Sequence, residues 1–196
     1  MEIMKTSIEA ILNNIESAEE FLDEKSVNKF EDIIMESPHV FVTGAGRSGL
    51  AAKAFAMRLM HLGVSAYVVG ETISPAINAD DCIIAISGSG ETNTIVSAAR
   101  IAKGRGSKVL VVTSYPESTL GKLSDVYILV KGRPNQEDDD ENYIKRQILG
   151  NYTSLTPLGT AFELTTLVFL DAIVSELMDK MHQTESDLKA RHTVLE

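Results

Sequence analysis

The sequence predicts an α/β fold in which a parallel sheet is covered by helices on both faces, and three observations lead to it. Strand-like and helix-like runs alternate from His39 onward. The strand-like runs, Cys82-Ile83-Ile84-Ala85-Ile86 among them, are apolar throughout instead of alternating, as strands buried on both faces are. Two of them end in glycine turns, Gly44-Ala45-Gly46-Arg47-Ser48-Gly49 and Ser87-Gly88-Ser89-Gly90, each of which opens a helix.

Taken in order, Ile8 to Leu22 places apolar residues at three-and-four spacing with acids between them, an amphipathic helix, and a second helix covers about Ser26 to Glu36. Strands are expected at His39–Thr43, Ala66–Val69, Cys82–Ile86, Lys108–Thr113 and Val126–Val130. Between them lie helices at Leu50–Leu62 and from about Glu91 to Lys103, and a short helical turn near Ser118–Leu123. From Gly132 to Asn151 the chain is polar and holds the acidic run Glu137-Asp138-Asp139-Asp140-Glu141, which reads as an exposed, solvated loop. Thr156-Pro157 then caps a long apolar helix to about Met181, and a polar tail helix from Thr184 to Glu196 either docks or frays.

All 196 residues fit one domain. It divides into N-terminal helices (1–37), a phosphate-binding sheet core (38–131), an acidic loop (132–155) and C-terminal helices (156–196). A formal charge of −10 without a basic patch excludes nucleic acid and anionic membrane as partners, yet allows a small anion held by backbone N–H groups. The single cysteine, Cys82, rules out an internal disulfide and suits a reducing compartment. No uncharged run reaches the ~18 residues of a membrane span, and the N-terminus has no secretory pattern, so the expected location is the cytoplasm.

The chemistry concentrates in the turns. Gly44, Gly46 and Gly49 satisfy G-x-G-x-x-G, with Glu71 further on, so a nicotinamide-dependent dehydrogenase has to be weighed. Against it stand the small remainder of chain for a substrate domain and a second anion-binding turn that a dinucleotide fold does not need. That second turn, Ser87-Gly88-Ser89-Gly90-Glu91-Thr92, combines close backbone approach, hydroxyl donors and a helix N-terminus, which together make a phosphate cradle. It has no P-loop lysine. The competing reading is a tight turn in which Ser87 or Ser89 only caps the helix.

These two turns resemble those of the sugar isomerase (SIS) domain family, and the resemblance runs from about Val40 to the C-terminus. Within the family the likeness is greatest to the 6-phospho-3-hexuloisomerase group, through Arg58-Leu59-Met60-His61-Leu62-Gly63, Pro157-Leu158-Gly159-Thr160-Ala161-Phe162-Glu163 and the tail Leu188-Lys189-Ala190-Arg191-His192. The resemblance implies a three-layer α/β/α, flavodoxin-like fold with a five-stranded parallel sheet. It also implies interconversion of D-arabino-hex-3-ulose 6-phosphate and fructose 6-phosphate without a cofactor, with Ser48, Ser87, Ser89 and Thr92 on the phosphate and Glu163 as base. Arabinose 5-phosphate isomerase and a non-catalytic sugar-phosphate sensor are the alternatives. Leu155-Thr156-Pro157-Leu158 departs from the family, which usually has glutamine before the proline and methionine after it.

The reaction sets its own requirements. Moving a carbonyl from C3 to C2 takes a proton from C2, passes through an enediol and returns a proton at C3, work that one carboxylate can do. Glu163, with Leu158, Phe162, Leu164 and Leu167 nearby in sequence, is the candidate, because apolar surroundings raise a carboxylate's pKa; the competing reading is an exposed helical glutamate. His192 is the histidine suited to moving protons between the enediol oxygens. Lying in a polar tail, it reaches a site only in a neighbouring subunit, or else is a frayed surface residue. Arg47 and Gly88 complete the expected phosphate and sugar contacts, the competing reading of Arg47 being a surface ion pair. His39, His61 and His182 read as structural, and the spacing of His182, Glu185 and His192 is not that of a metal site, so no metal is expected. The first and last long helices offer more apolar face than one sheet covers, which predicts a homo-oligomer, a tetramer being one form, with shared active sites.

Overall fold

A computed structural model of the chain describes residues 1–132 and 160–194. The N-terminal helices are α1 (Glu2–Ala18), followed by a 3-10 turn at Glu19–Phe21, and α2 (Glu24–Glu36), which Asp23 caps through the Ser26 N–H. Then come β1 (Val40–Gly44), α3 (Arg47–Leu62), β2 (Ala66–Val68), β3 (Cys82–Ile86), α4 (Asn93–Gly104), β4 (Lys108–Thr113), α5 (Thr119–Leu123) and β5 (Val126–Leu129). Two further helices follow, α6 (Thr160–Lys180) and α7 (Glu185–Ala190). The expected acidic loop and the Thr156-Pro157 helix start fall outside the described residues.

The five strands are all parallel, in the order β2-β1-β3-β4-β5. Alternate residues of each strand feed opposite layers. Val40, Val42, Ile84, Ile86, Leu110 and Val112 pack with Phe30, Phe55, Leu59, Leu170 and Leu177 on the face covered by α2, α3 and α6. Phe41, Ile83, Ala85, Val109 and Val111 pack with Ile95, Val96, Ala99 and Leu120 on the face covered by α4 and α5. This is the three-layer arrangement expected from the sequence, and it explains why the middles of the central strands are apolar on both sides: each side of the sheet is a core. Among the described residues, no helix is long and apolar enough to cross a membrane.

Three elements depart from expectation. α3 begins at Arg47, three residues ahead of the expected Leu50, because Gly46 at φ 57° turns the chain straight from strand to helix. Arg47 and Ser48 thereby belong to the first helical turn. α4 begins at Asn93, not Glu91, since Thr92 is still extended at ψ 110°; the Glu91 Oε1 instead accepts the Thr119 N–H at 2.6 Å at the start of α5, which Ser118 caps. The tail helix is short, yet it docks. Thr184 and Asp187 form a reciprocal capping box, Leu188 packs on the core, and Arg191 donates to the His61 carbonyl at 3.0 Å.

α1 is amphipathic but buries a polar residue. Asn14 is buried, while Ile8 and Leu12 of the expected apolar stripe are half exposed. Asn14 Nδ2 donates to Thr165 Oγ1 at 2.8 Å and to the Lys131 carbonyl at 3.4 Å. One side chain thus ties α1 to the first turns of α6 and to the end of β5.

Candidate active site

Both glycine turns lie at the carboxyl ends of adjacent strands, β1 and β3, where the winding of the sheet reverses: the chain passes from β1 outward to β2, and from β3 the other way to β4. Crevices for ligands form at that switch point. In the first turn, a Cβ on Gly44 would lie 2.7 Å from the Ser48 backbone, and one on Gly49 would lie 2.7 Å from the Gly44 carbonyl oxygen. Those glycines therefore serve close strand-to-helix packing whether or not a ligand is present.

The second turn holds itself together through its hydroxyls. Ser87 Oγ, buried, accepts the Gly90 N–H at 3.2 Å and shares a 3.1 Å hydrogen bond with Thr92 Oγ1. Ser89 Oγ accepts the Glu91 N–H at 3.2 Å. Thr92 precedes α4 without capping it, and α3 starts from Gly46, which has no side chain to cap with. Neither helix has a side-chain cap, and although Gly49 and Ile95 already donate to the carbonyls of Ala45 and Thr92, no side chain occupies either positive dipole end, which suits an anion.

Glu163, in the first turn of α6, stands between these turns. Its Oε2 lies 3.5 Å from Arg47 Nε of the first turn. Its neighbour Phe162 stands against Gly88 of the second, where a Cβ would come within 3.2 Å of the ring. Gly88 therefore makes room for Phe162. The carboxylate is not the exposed helical glutamate of the alternative reading: its side chain is 16% exposed and Oε2 is buried without a well-formed hydrogen bond. Burial pushes its pKa above the ordinary glutamate value, and its own backbone N–H and the Arg47 guanidinium pull back only part of the way. Phe162 is buried and Leu164 and Leu167 are half-buried around it, while Leu158 falls outside the described residues.

Ser48, Ser87, Gly88, Ser89, Thr92 and Arg47 are brought together at one edge of the sheet with Glu163. His192 is not. It is exposed, and its ring stacks on His61 with centroids 5.1 Å apart. His61 lies fourteen residues along α3 from Arg47, about 21 Å of helix. Within its own chain His192 is therefore remote from the carboxylate. His61 is buried, and that burial, then His192 and Arg58, lowers its pKa. His39 pairs with the buried Asp81 at 2.9 Å at the opposite end of the sheet, and His182 lies in the turn just past α6, at φ 53°. Among the described residues no group of three or more His, Cys, Asp or Glu could hold a metal ion.

Asn14 is the contributor that sequence reasoning missed. The available signal was a polar residue sharing a helical row with Ile11 and Ala18.

The model of the SIS domain matches residues 33–164, a span that contains both turns and ends one residue past Glu163. The chain belongs to the SIS domain family. Among SIS relatives, an uncharacterized protein of Archaeoglobus fulgidus is 48% identical over 96% of this chain and 98% of its own length. A Bacillus subtilis protein named 3-hexulose-6-phosphate isomerase is 36% identical over 98% of this chain and all of its own length. A crystal structure from Methanococcus jannaschii, described as inferring the function of a 3-hexulose-6-phosphate isomerase, superposes with a TM-score of 0.80 at 30% identity and covers 97% of this chain and 99% of that one.

Proposed function

We propose that the chain is a sugar-phosphate isomerase that interconverts D-arabino-hex-3-ulose 6-phosphate and fructose 6-phosphate. The single observation that carries this reading is the position of Glu163, a buried carboxylate with a raised pKa set between two open helix N-termini at the switch point of the sheet. The names of the bacterial and archaeal relatives support the substrate.

The phosphate dianion sits at the N-termini of α3 and α4, held by backbone N–H groups, by the hydroxyls of Ser48, Ser87, Ser89 and Thr92, and by Arg47. Glu163 takes the C2 proton, the C2–H electrons form the C2=C3 bond, and O3 takes a proton to give the enediol. O2 then gives up its proton as C2=O forms, and Glu163 returns its proton to C3. One proton passes from O2 to O3 overall. His192 is the candidate for that transfer, and because it is remote from Glu163 in its own chain it acts in a neighbouring subunit. A homo-oligomer, a tetramer being one form, follows. Exposed Ile3, Ile8 and Leu12 on α1 and Leu50, Met57 and Met60 on α3 supply apolar surface for it.

The test is incubation of the protein with fructose 6-phosphate in deuterated water in the presence of a chelator. Deuterium at C3 is expected, the signature of a 2,3-enediol. Incorporation at C1 would indicate an aldose–ketose isomerase instead. No incorporation, with the sugar still raising the melting temperature, would leave binding without catalysis. Glu163→Gln should lower exchange by about 10²- to 10⁴-fold, the usual contribution of a general base.

A further inference from the structure

We propose that Arg47 couples phosphate recognition to the base: in the ligand-free chain its guanidinium is held by Glu163, and a phosphate arriving at the two turns draws it away, freeing the carboxylate for the proton. The proposal rests on the reading of Glu163 as base and adds what makes that base selective for phosphorylated substrates.

The geometry of the pair is what points to an exchange of partners. Arg47 Nε lies 3.5 Å from Glu163 Oε2, an ion-pair distance at which Oε2 accepts no well-formed hydrogen bond. A bidentate fork would be far harder to open. The two members are unequal: the arginine side chain is 53% exposed and the glutamate 16%, so the cation is the member free to swing and the carboxylate is fixed. Arg47 is also the first residue of α3, one position before the buried Ser48 and just after Gly46, so its root already lies at the uncapped N-terminus where an anion would sit. A dianion there offers the guanidinium twice the charge of Glu163 and a matching array of oxygens.

The electrostatics agree in direction. Arg47, from α3, is the one charged group among the described residues that acts on Glu163. The groups that α1 turns toward the start of α6 are neutral, Asn14 on Thr165. Burial raises the carboxylate's pKa and Arg47 opposes it, so removing the guanidinium leaves a stronger base. A sugar without phosphate would meet the weaker one.

The experiment is a double-mutant cycle read by binding of inorganic phosphate, which needs no turnover, on the wild type, Arg47→Gln, Glu163→Gln and the double variant. If the two residues compete, Glu163→Gln tightens phosphate binding, and the gain is about two- to fivefold larger with Arg47 present than in the Arg47→Gln background, the size of one half-exposed ion pair. An equal gain in both backgrounds would mean that Glu163 only repels the dianion, and no gain would mean that the pair does not compete; either overturns the proposal. So does absence of phosphate binding by the wild type. Arg47→Lys, which keeps the charge without the fork, checks that any loss in Arg47→Gln is not misfolding. Exchange of deuterium into fructose 6-phosphate is scored separately: if it is absent while the cycle shows competition, the isomerase reading fails and the coupling stands. Where exchange occurs, the acid limb of kcat lies at higher pH than that of kcat/KM, because the first reports the complex and the second the free enzyme. Coincident limbs would count against release of the carboxylate.

Discussion

The first glycine turn is built from close-packed backbone and presents a charge, whereas the second is built from hydroxyls bonded to one another and presents neutral donors. In the first, Gly44 and Gly49 let β1 and α3 touch, and the side chain offered at the rim is Arg47. In the second, Ser87 and Ser89 fold the loop, Gly90 at φ +65° admits Ser118 beneath it, and no charged side chain of that turn meets Glu163. A phosphate needs both neutralisation and directed hydrogen bonds, and on the proposed reading the two turns divide them between two adjacent strands. The difference also separates what each glycine and each serine is for, and that can be measured.

The largest expected effect lies in the first turn. Gly44→Ala puts a methyl 2.7 Å from the carbonyl group of Ser48, backbone that cannot move aside, and should cost about 3 kcal/mol or more of stability. Gly46→Ala meets nothing within 4 Å, so only its backbone conformation resists: at φ +57° and ψ −131° it lies outside the left-handed helical well, in a region that side chains rarely adopt, at about 1–3 kcal/mol. Chemical denaturation of both variants decides: equal losses would mean that the turn is governed by backbone conformation and not by the strand-to-helix contact.

The second turn should respond less, and unevenly. Ser87→Ala removes the hydroxyl that bonds Thr92 Oγ1 and shares the buried Gly90 N–H with the Ser87 carbonyl, which remains, a loss of about 0.5–1.5 kcal/mol. Ser89→Ala removes a single contact to the exposed Glu91 N–H and should change stability by no more than about 0.5 kcal/mol. If Ser89 serves the phosphate, its replacement raises KM for fructose 6-phosphate while the melting temperature holds. An unchanged KM would confine the phosphate to Ser48, Ser87, Thr92 and the backbone.

The sheet was legible because each central strand is apolar on both faces, a pattern that only a covered parallel sheet requires, and both turns were legible as glycine and hydroxyl clusters between a strand and a helix. Glu163 was legible as a residue, but the pairing with Arg47 was not. That contact joins residues 116 positions apart, and it exists because α3 starts at Arg47, a start set by the φ of Gly46 and not by any apolar period. Asn14 stayed hidden for a related reason: the periodicity of α1 marks a helix face, but not that this face meets Thr165 of α6. Long-range polar contacts have no period of their own, and the active-site edge of this molecule is built from them.

The smallest effect sits on the carboxylate between the turns, and it has a definite sign. A glutamate whose folded-state pKa is raised binds protons in the folded state over a range where the unfolded chain has released them. Its contribution to stability is therefore full below the ordinary glutamate value and declines as pH rises from that value through the raised one. Glutamine at this position stays neutral throughout, as the protonated acid does. Glu163→Gln should accordingly melt higher than the wild type at neutral pH, with an advantage that fades as the solution is acidified through that window. Melting curves recorded from neutral to acid pH test this. A variant that melts lower than the wild type at neutral pH would mean that the Arg47 attraction outweighs burial, and the first turn would then be stabilising the carboxylate more than the core strains it.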